Sequence, residues 1–222
     1  MTPLALTLRL AALVSVILFF AALPIAYWIS FSRARFKFLV ESLVALPLVL
    51  PPTVLGFYVL LALGPRSPLG RWYQEISGHT LAFTFEALVI GSVIYSLPFA
   101  VQPMAASFAA IDSQLLAASA TLGASRMRTF LRVIAPLSLP GLVTAIALSF
   151  AHTLGEFGVV LMVGGNIPGA TQTVSIAIYD NVQALEYGAA NHAALWLLVI
   201  SFGILSLVYG LNRRVWTVWP FK

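Results

Sequence analysis

Five long apolar runs constrain the fold of this chain more than any other feature of its sequence. Each is about as long as the roughly 20 residues that an α-helix needs to cross a bilayer. Because 60% of the chain is hydrophobic and 9% is charged, too few polar side chains remain to cover a water-soluble globule. We predict an all-α integral membrane protein, with residues 1–222 forming a single transmembrane domain. The predicted spans cover about 10–31, 43–63, 82–104, 138–163 and 190–211.

The basic residues predict how the five spans are oriented. Loops on the cytoplasmic side carry an excess of Lys and Arg, and the basic residues of 33–37 outnumber Arg9 on the other side of the first span. We therefore expect the N-terminus outside and the C-terminus in the cytoplasm. This arrangement puts nine basic residues inside, including Arg213, Arg214 and Lys222, and three outside. The first span is longer than a signal-peptide core and is expected to be a retained anchor.

Residues 171–188 are partly apolar, but we do not expect them to cross. The segment carries Asp180 and Glu186, and a charge at the bilayer centre costs about 2.5–3.5 kcal/mol on insertion scales. A crossing here would also divide the basic residues equally between the two sides. Four apolar residues share one helical face, so the segment is predicted to be an amphipathic helix on the outer surface. They are Val174, Ile178, Val182 and Leu185.

Prolines interrupt two of the predicted spans. The second contains Pro47, Pro51 and Pro52, and the third contains Pro98 and Pro103. Each proline removes one backbone N–H and is expected to open its helix locally. Such openings persist in a membrane where they line a cavity or contact other helices. The prolines favour a bundle arranged around a pathway; the alternative is that membrane helices simply tolerate them.

One ionisable pair lies within the predicted fourth span. His152 and Glu156 are four residues apart, so they share a helical face and are expected to hydrogen-bond to each other. The pair is interpreted either as a structural contact between helices or as part of a transport pathway. The full set of pathway or gate candidates is Pro51, Pro52, Thr53, His152, Glu156 and Phe157.

The polar segment 112–136, between the third and fourth spans, predicts two short helices. Asp112 or Ser113 is placed to cap the first and Ser125 the second, because a side-chain oxygen accepts from the free amides of a first turn. Gly123 between them is expected to adopt a positive φ. We expect a compact two-helix unit on the cytoplasmic side.

The sequence excludes most enzymatic functions. A phosphate-binding loop ends in Gly-Lys-Ser/Thr, but the two lysines, Lys37 and Lys222, belong to no such motif. The chain has no cysteine, and its three histidines lack metal-ligand spacing. We therefore expect no catalytic residues, no metal site and no directly bound cofactor. A membrane scaffold would not explain the two-helix unit, and a secondary transporter would show an internal repeat with paired midplane charges.

The 112–136 segment resembles the EAA loop of permease subunits of ATP-binding-cassette importers. Gly123 lies six residues after the position of the family's acidic residue, here Ala117, and Pro136 lies thirteen residues beyond Gly123. The resemblance implies the type I importer permease fold and a separate ATPase that docks on this loop. The coupling-loop candidates are Leu115, Leu116, Ala117, Ala118, Ser119, Thr121, Leu122, Gly123, Arg126, Arg128 and Pro136.

Further motifs make the chain similar to the molybdate permeases among these importers. They are Leu46–Gly56, Thr121–Ala124, Pro136–Gly141, Leu154–Gly158 and Gly164–Gly169. The resemblance implies transport of molybdate, with tungstate or sulfate as the alternatives within the same class.

The same resemblance implies a set of partners. A homodimer in the cytoplasmic (inner) membrane of a prokaryote would bind two copies of a cytoplasmic ATPase, which uses ATP and Mg, and an external oxyanion-binding protein would deliver the substrate. The net charge of +5 is attributed to topology and anionic lipid rather than to nucleic acid. The residues expected to face the binding protein are Asn166, Ile167, Pro168 and Gly169.

Overall fold

The computed structural model describes residues 2–218, with side chains up to residue 210. The side chains of Arg213 and Arg214, and all of Lys222, which the predicted orientation uses, lie outside the described residues. The described chain is helical and contains no strand. The helices are α1 (Pro3–Phe31), α2 (Lys37–Val49), α3 (Pro52–Leu63), α4 (Pro68–Ser77), α5 (Phe85–Ala109), α6 (Ser113–Thr121), α7 (Arg126–Thr129), a π-helix (Phe130–Ile134), α8 (Ala135–Leu137), α9 (Leu139–Gly155), α10 (Gly158–Gly164), α11 (Val174–Gln183) and α12 (Tyr187–Val218).

Helix α1 forms the centre of the bundle and packs against α5 and α9. It begins at Pro3, earlier than predicted, because the Thr2 side chain accepts from the Ala5 amide and Pro3 occupies the first helical position. Its buried face repeats every three or four residues and includes several alanines. Small residues let membrane helices approach closely, and van der Waals packing then stabilises the contact. The buried residues of α1 include Leu10, Ala11, Val14, Leu18, Ala22 and Ala26.

The number of spans agrees with the prediction when bent helices are counted as single crossings. Among the described residues, three helices are long and apolar enough to cross a membrane: Pro3–Phe31, Phe85–Ala109 and Tyr187–Gly210. Two bent pairs also qualify, Lys37–Val49 with Pro52–Leu63 and Arg126–Leu137 with Leu139–Gly155. Counting each pair as one span gives five.

The second predicted span, 43–63, is not one continuous helix. Helices α2 and α3 meet at an angle of 112°. Leu50 and Pro51 between them are extended, with ψ of 137° and 135°. Each precedes a proline, and the ring of the following proline disfavours the helical conformation at such positions. The expected proline break is therefore confirmed at Pro51 and Pro52, whereas the break expected at Pro47 is absent, because Pro47 lies inside α2.

The break expected in the third span is absent. Pro98 and Pro103 both lie inside α5, which runs without interruption from Phe85 to Ala109. A proline removes only its own N–H, and α5 packs against α1 and α9, so tertiary contacts maintain the helix. The expectation that these two prolines open the helix was wrong.

The fourth predicted span, 138–163, also consists of two helices. Helix α9 ends at Gly155, Glu156 is extended with ψ of 133°, and α10 begins at Gly158. No proline lies at this break. Its position is instead set by packing, because the start of α10 rests on the start of α3: a Cβ on Gly158 would lie 2.7 Å from the Pro52 Cβ.

The 112–136 segment folds as its caps predict. The Asp112 carboxylate accepts from the Gln114 amide at 2.8 Å, and the Ser125 hydroxyl accepts from the Arg128 amide at 3.3 Å. Gly123 has a φ of 72°. The Gly123 amide donates to the Ala120 carbonyl at 3.0 Å and the Ala124 amide to the Ser119 carbonyl at 3.1 Å. These two bonds form a Schellman motif, which ends α6 at a fixed angle.

The amphipathic segment is helical over 174–183, but its buried face differs from the prediction. Val174 and Ile176 are buried, whereas Val182 is 42% exposed. Leu185 lies beyond the helix with a φ of 61° and is 71% exposed. The reason is an anchor at the helix start, where the Val174 amide donates to the Thr7 hydroxyl of α1 at 2.9 Å and turns this end of α11 toward the bundle.

Candidate functional site

The two breaks surround a cavity of about 570 Å³. The first turn of α3 forms one wall, the end of α9 and the start of α10 form another, and Tyr95 of α5 contributes a third. Five of the six pathway candidates line this cavity, and Pro51 does not. The lining residues are Pro52, Thr53, Tyr95, Ala151, His152, Gly155, Glu156, Phe157, Gly158, Leu161 and Met162.

His152 is held by a chain of hydrogen bonds that joins α9 to α5. Its Nδ1 lies 2.9 Å from the Ser96 hydroxyl, which lies 3.1 Å from the Thr153 hydroxyl. Thr153 donates to the Ser149 carbonyl at 2.8 Å. The imidazole ring also stacks on Phe99, with ring centroids 3.9 Å apart. These contacts fix the position of the ring at the wall of the cavity.

The expected hydrogen bond between His152 and Glu156 is absent. Both Glu156 oxygens are buried and neither bonds to His152; the polar side chain that interacts with them is Ser92 of α5. The reason is the helix break: Glu156 is extended, so the two residues no longer occupy one continuous helical face. The predicted bond within the pair was therefore wrong: His152 bonds to Ser96 of α5 instead, and Glu156, with 4% of its surface exposed, borders the cavity as a buried carboxyl group.

Close backbone contacts hold the walls of the cavity together. A Cβ on Gly56 of α3 would lie 2.8 Å from the Met162 Cβ of α10 and 3.1 Å from the Val159 Cα. Real Cβ atoms essentially never approach at 2.8 Å, so these helices meet only because Gly56 has no side chain. With the contact between Gly158 and Pro52, this glycine makes α3 and α10 one packed pair.

The four residues predicted to face a binding protein form an exposed loop after α10. Side chains at its two ends join it to α11: Asn166 donates to Asp180 at 2.5 Å, and Gln172 donates to Asn166 and Asp180 at 3.0 and 3.1 Å. The backbone carbonyl of Ile167 accepts from three amides, those of 170–172. This network gives the exposed loop a defined shape.

The coupling-loop candidates divide between exposed and inward-facing positions. Leu116 packs against the core, and the Ser119 hydroxyl bonds to that of Thr129 at 2.8 Å. Leu115 is 47% exposed and Leu122 is 86% exposed. Arg126, Arg128 and Pro136 are exposed. The apolar surface that the unit presents therefore comprises Leu115, Leu122 and Met127, without the predicted Leu116 and Ser119.

Reasoning from the sequence missed Ser92, Ser96 and Tyr95 of α5. Ser92 and Ser96 are fully buried and one helical turn apart. Two hydroxyls at this spacing in an apolar span are a usable signal of a polar face. The partner of that face was not accessible from the sequence, because Ser96 and His152 are 56 residues apart.

Comparisons with known proteins give a consistent result. The family model described as "Binding-protein-dependent transport system inner membrane component" matches residues 19–217. The molybdenum transport system permease protein ModB of Azotobacter vinelandii is 50% identical over 208 residues, covering 94% of this chain and 92% of the relative. ModB of Escherichia coli K12 is 36% identical, covering 78% and 75%. A probable sulfate transport system permease protein of Chlorokybus atmophyticus is 32% identical, covering 79% and 60%.

Solved structures share the fold. The inward-facing MetNI methionine ABC transporter superposes with a TM-score of 0.74 at 19% identity, covering 95% of this chain and 93% of that chain. A bacterial ABC transporter involved in the import of alginate superposes with a TM-score of 0.77 at 18% identity, covering 95% and 78%. The resemblance noted from the loop and motifs is confirmed. The chain belongs to the family of binding-protein-dependent transport system inner membrane components.

Proposed function

We propose that this chain is the transmembrane permease subunit of an ATP-binding-cassette importer that moves molybdate across the cytoplasmic membrane. The observation that carries the proposal is the 50% identity to a molybdenum transport permease over nearly the whole length of both proteins. The sulfate permease relative is less similar and matches a smaller share of its own length, so sulfate is the weaker candidate. Tungstate, which has the same shape and charge as molybdate, is the second candidate substrate.

A separate ATPase drives transport in this proposal. Two copies of it, with ATP and Mg bound, dock on the 112–136 loops of a permease homodimer. The exposed apolar side chains Leu115, Leu122 and Met127 support this assignment, because an apolar patch on a short helix suits a groove in a partner. The basic residues Arg126 and Arg128 flank the patch and are available to acidic groups or lipid.

The external binding protein docks on the opposite side, at the loop of Asn166–Gly169. That loop is exposed and held in shape by its bonds to α11. The substrate then enters the cavity between α3, α5, α9 and α10. In this assignment Pro52 and Thr53 shape one wall of the pathway, while His152, Glu156 and Phe157 line the other. Pro51 contributes indirectly, as the extended residue that precedes α3.

The experiment for this function is uptake into proteoliposomes that contain the permease and its ATPase, with binding protein outside. We expect ATP-dependent accumulation of molybdate that requires all three components. Tungstate should compete with molybdate and sulfate should compete weakly. Accumulation of sulfate in preference to molybdate would assign the chain to the sulfate importers, and a permease that purifies without any ATPase would contradict the division of labour.

The proposed topology places 112–136 in the cytoplasm and 165–189 outside, and it predicts a labelling pattern. Because the chain has no cysteine, single cysteines can be introduced at Gln114 and Gln183, which are both exposed. A membrane-impermeant maleimide should label Gln183→Cys in intact cells and Gln114→Cys only after permeabilisation. Labelling of Gln114→Cys in intact cells would invert the topology.

A further inference from the structure

The hydrogen-bond chain behind His152 has a direction. Thr153 uses its one hydroxyl hydrogen on the Ser149 carbonyl, so its oxygen accepts from Ser96. Ser96 has then used its own hydrogen, and its oxygen accepts from His152 Nδ1. Because the Ser149 carbonyl can only accept, every hydrogen bond in this series runs toward it, and Nδ1 of the imidazole must carry a proton. Nε2 becomes the ring nitrogen that remains for the contents of the cavity.

The surroundings of the ring leave Nε2 free for this purpose. Nδ1 is directed at α5, Phe99 covers the ring face, and Tyr95 lies at a centroid distance of 4.8 Å. Nε2 makes no hydrogen bond to the described side chains, while His152 lines the cavity. A ring fixed through its far nitrogen in this way is oriented before any ligand arrives, so little conformational freedom is lost on binding.

A tetrahedral oxyanion such as molybdate offers only acceptor oxygens, so it needs donors along its path. With Nδ1–H already committed to Ser96, the ring donates to such an anion only when Nε2 also carries a proton. The titratable groups that line the cavity are Tyr95 from α5 and Glu156 beside His152; the described lining of α3 and α10 contributes none. The negative charge of the bound anion itself favours the doubly protonated ring.

We propose that His152 is an oxyanion-contacting residue of this cavity, donating an N–H from Nε2 to the passing anion, and that Ser96 and Thr153 are positioning residues that orient the ring. This inference rests on the proposed oxyanion import. It assigns the contact that neither the motifs nor the relatives identify.

Two substitutions of His152 separate this role from a structural one. In His152→Asn the side-chain amide overlays Nδ1 and keeps the bond to Ser96, but nothing reaches the cavity. In His152→Gln the longer side chain places its amide near Nε2 and leaves Ser96 unpartnered. We expect molybdate uptake to fall roughly tenfold to a hundredfold in His152→Asn, as for loss of one charge-assisted hydrogen bond, and less in His152→Gln. A structural role would give the opposite order, which would overturn the inference.

Two buried serines provide a matched pair for the positioning role. Ser96→Ala removes the acceptor for Nδ1, whereas Ser15→Ala removes a buried hydroxyl of α1 that donates to the Ala11 carbonyl of its own helix and does not line the cavity. Uptake that depends on a protonated ring should decrease as pH rises. Ser96→Ala should move the midpoint of that decrease and reduce uptake roughly threefold or more, because the ring loses one charge-assisted bond, while Ser15→Ala should match the wild-type profile.

The experiments separate failure of this inference from failure of the proposed function. A wild-type complex that accumulates no oxyanion would overturn both proposals. A wild-type complex that accumulates molybdate, together with a His152→Asn variant that transports and responds to pH as the wild type does, would overturn this inference alone. Co-purification of the ATPase with each variant, and its basal hydrolysis rate, check that the complex assembles.

Discussion

A Gly123→Val permease should insert into the membrane yet lose most of its ATP-driven transport. Gly123 has a φ of 72° within the Schellman motif that ends α6. A left-handed conformation costs a residue with a Cβ about 1–2 kcal/mol, and a β-branched side chain makes it a clear outlier. No atom lies within 4 Å of the position that a Cβ would take, so the backbone alone opposes the change.

Valine relieves this strain by leaving the left-handed region, which changes the angle between α6 and α7. Leu122 and Met127, on either side of Gly123, would then no longer present one surface. We expect uptake at least tenfold below wild type, with either loss of the ATPase on purification or hydrolysis that no longer responds to the loaded binding protein. The transition is local, so the yield of inserted protein should be unchanged.

Gly123→Asn is the matched control, because asparagine adopts positive φ far more readily than valine. It adds a polar side chain at the same exposed place and should retain most of the coupling. Normal uptake by Gly123→Val would show that 112–136 does not transmit ATP hydrolysis. Equal loss in the asparagine variant would mean that the absence of a side chain, rather than the backbone angle, is the requirement.

A large loss of stability is expected for a substitution of Gly141 of α9. A Cβ there would lie 2.9 Å from the Pro103 carbonyl oxygen of α5 and still closer to the Ser107 side chain. The obstacle includes backbone, which cannot rotate away. Overpacking of this kind costs about 1–3 kcal/mol, and at about 2–4 °C per kcal/mol Gly141→Val should lower the melting temperature by roughly 2–12 °C.

Gly203→Val in α12 provides the control, since no atom lies within 4 Å of a Cβ at that position. Both variants add the same β-branched isopropyl side chain to a membrane helix. Thermal unfolding of the detergent-solubilised permease, followed by fluorescence-detected gel filtration, should separate them. Equal melting temperatures would mean that α5 and α9 do not pack as tightly as described.

The sequence was sufficient for features that depend on local chemistry. Apolar length located the spans, and Asp112, Ser125 and Gly123 predicted the caps and the turn of the two-helix unit. The proline break before α3 followed from the conformational restriction that proline places on the preceding residue. Each of these needs only neighbouring residues.

Features that depend on packing could not be predicted in the same way. The break at Glu156 contains no proline, and its position between Gly155 and Gly158 is where Gly158 meets Pro52 of α3. Continuity of α5 through Pro98 and Pro103 depends on its neighbours. For the site, five of six pathway candidates share a cavity, yet the bond from His152 to Ser96 joins residues 56 positions apart. The predicted partner of His152, Glu156, is nearer in the sequence and chemically plausible, but the two do not bond to each other.

The contact between α3 and α10 limits how homologous chains can diverge. A Cβ on Gly56 would overlap Met162, and a Cβ on Gly158 would overlap Pro52. More than a hundred positions separate the members of each pair in the sequence. The close contact is with the Met162 Cβ, so a residue with a side chain at position 56 would require glycine at 162 or a shift of α10, and neither position can change independently. Among homologous sequences the two sites should therefore change together. This covariation would show that α3 and α10 are adjacent without any structure.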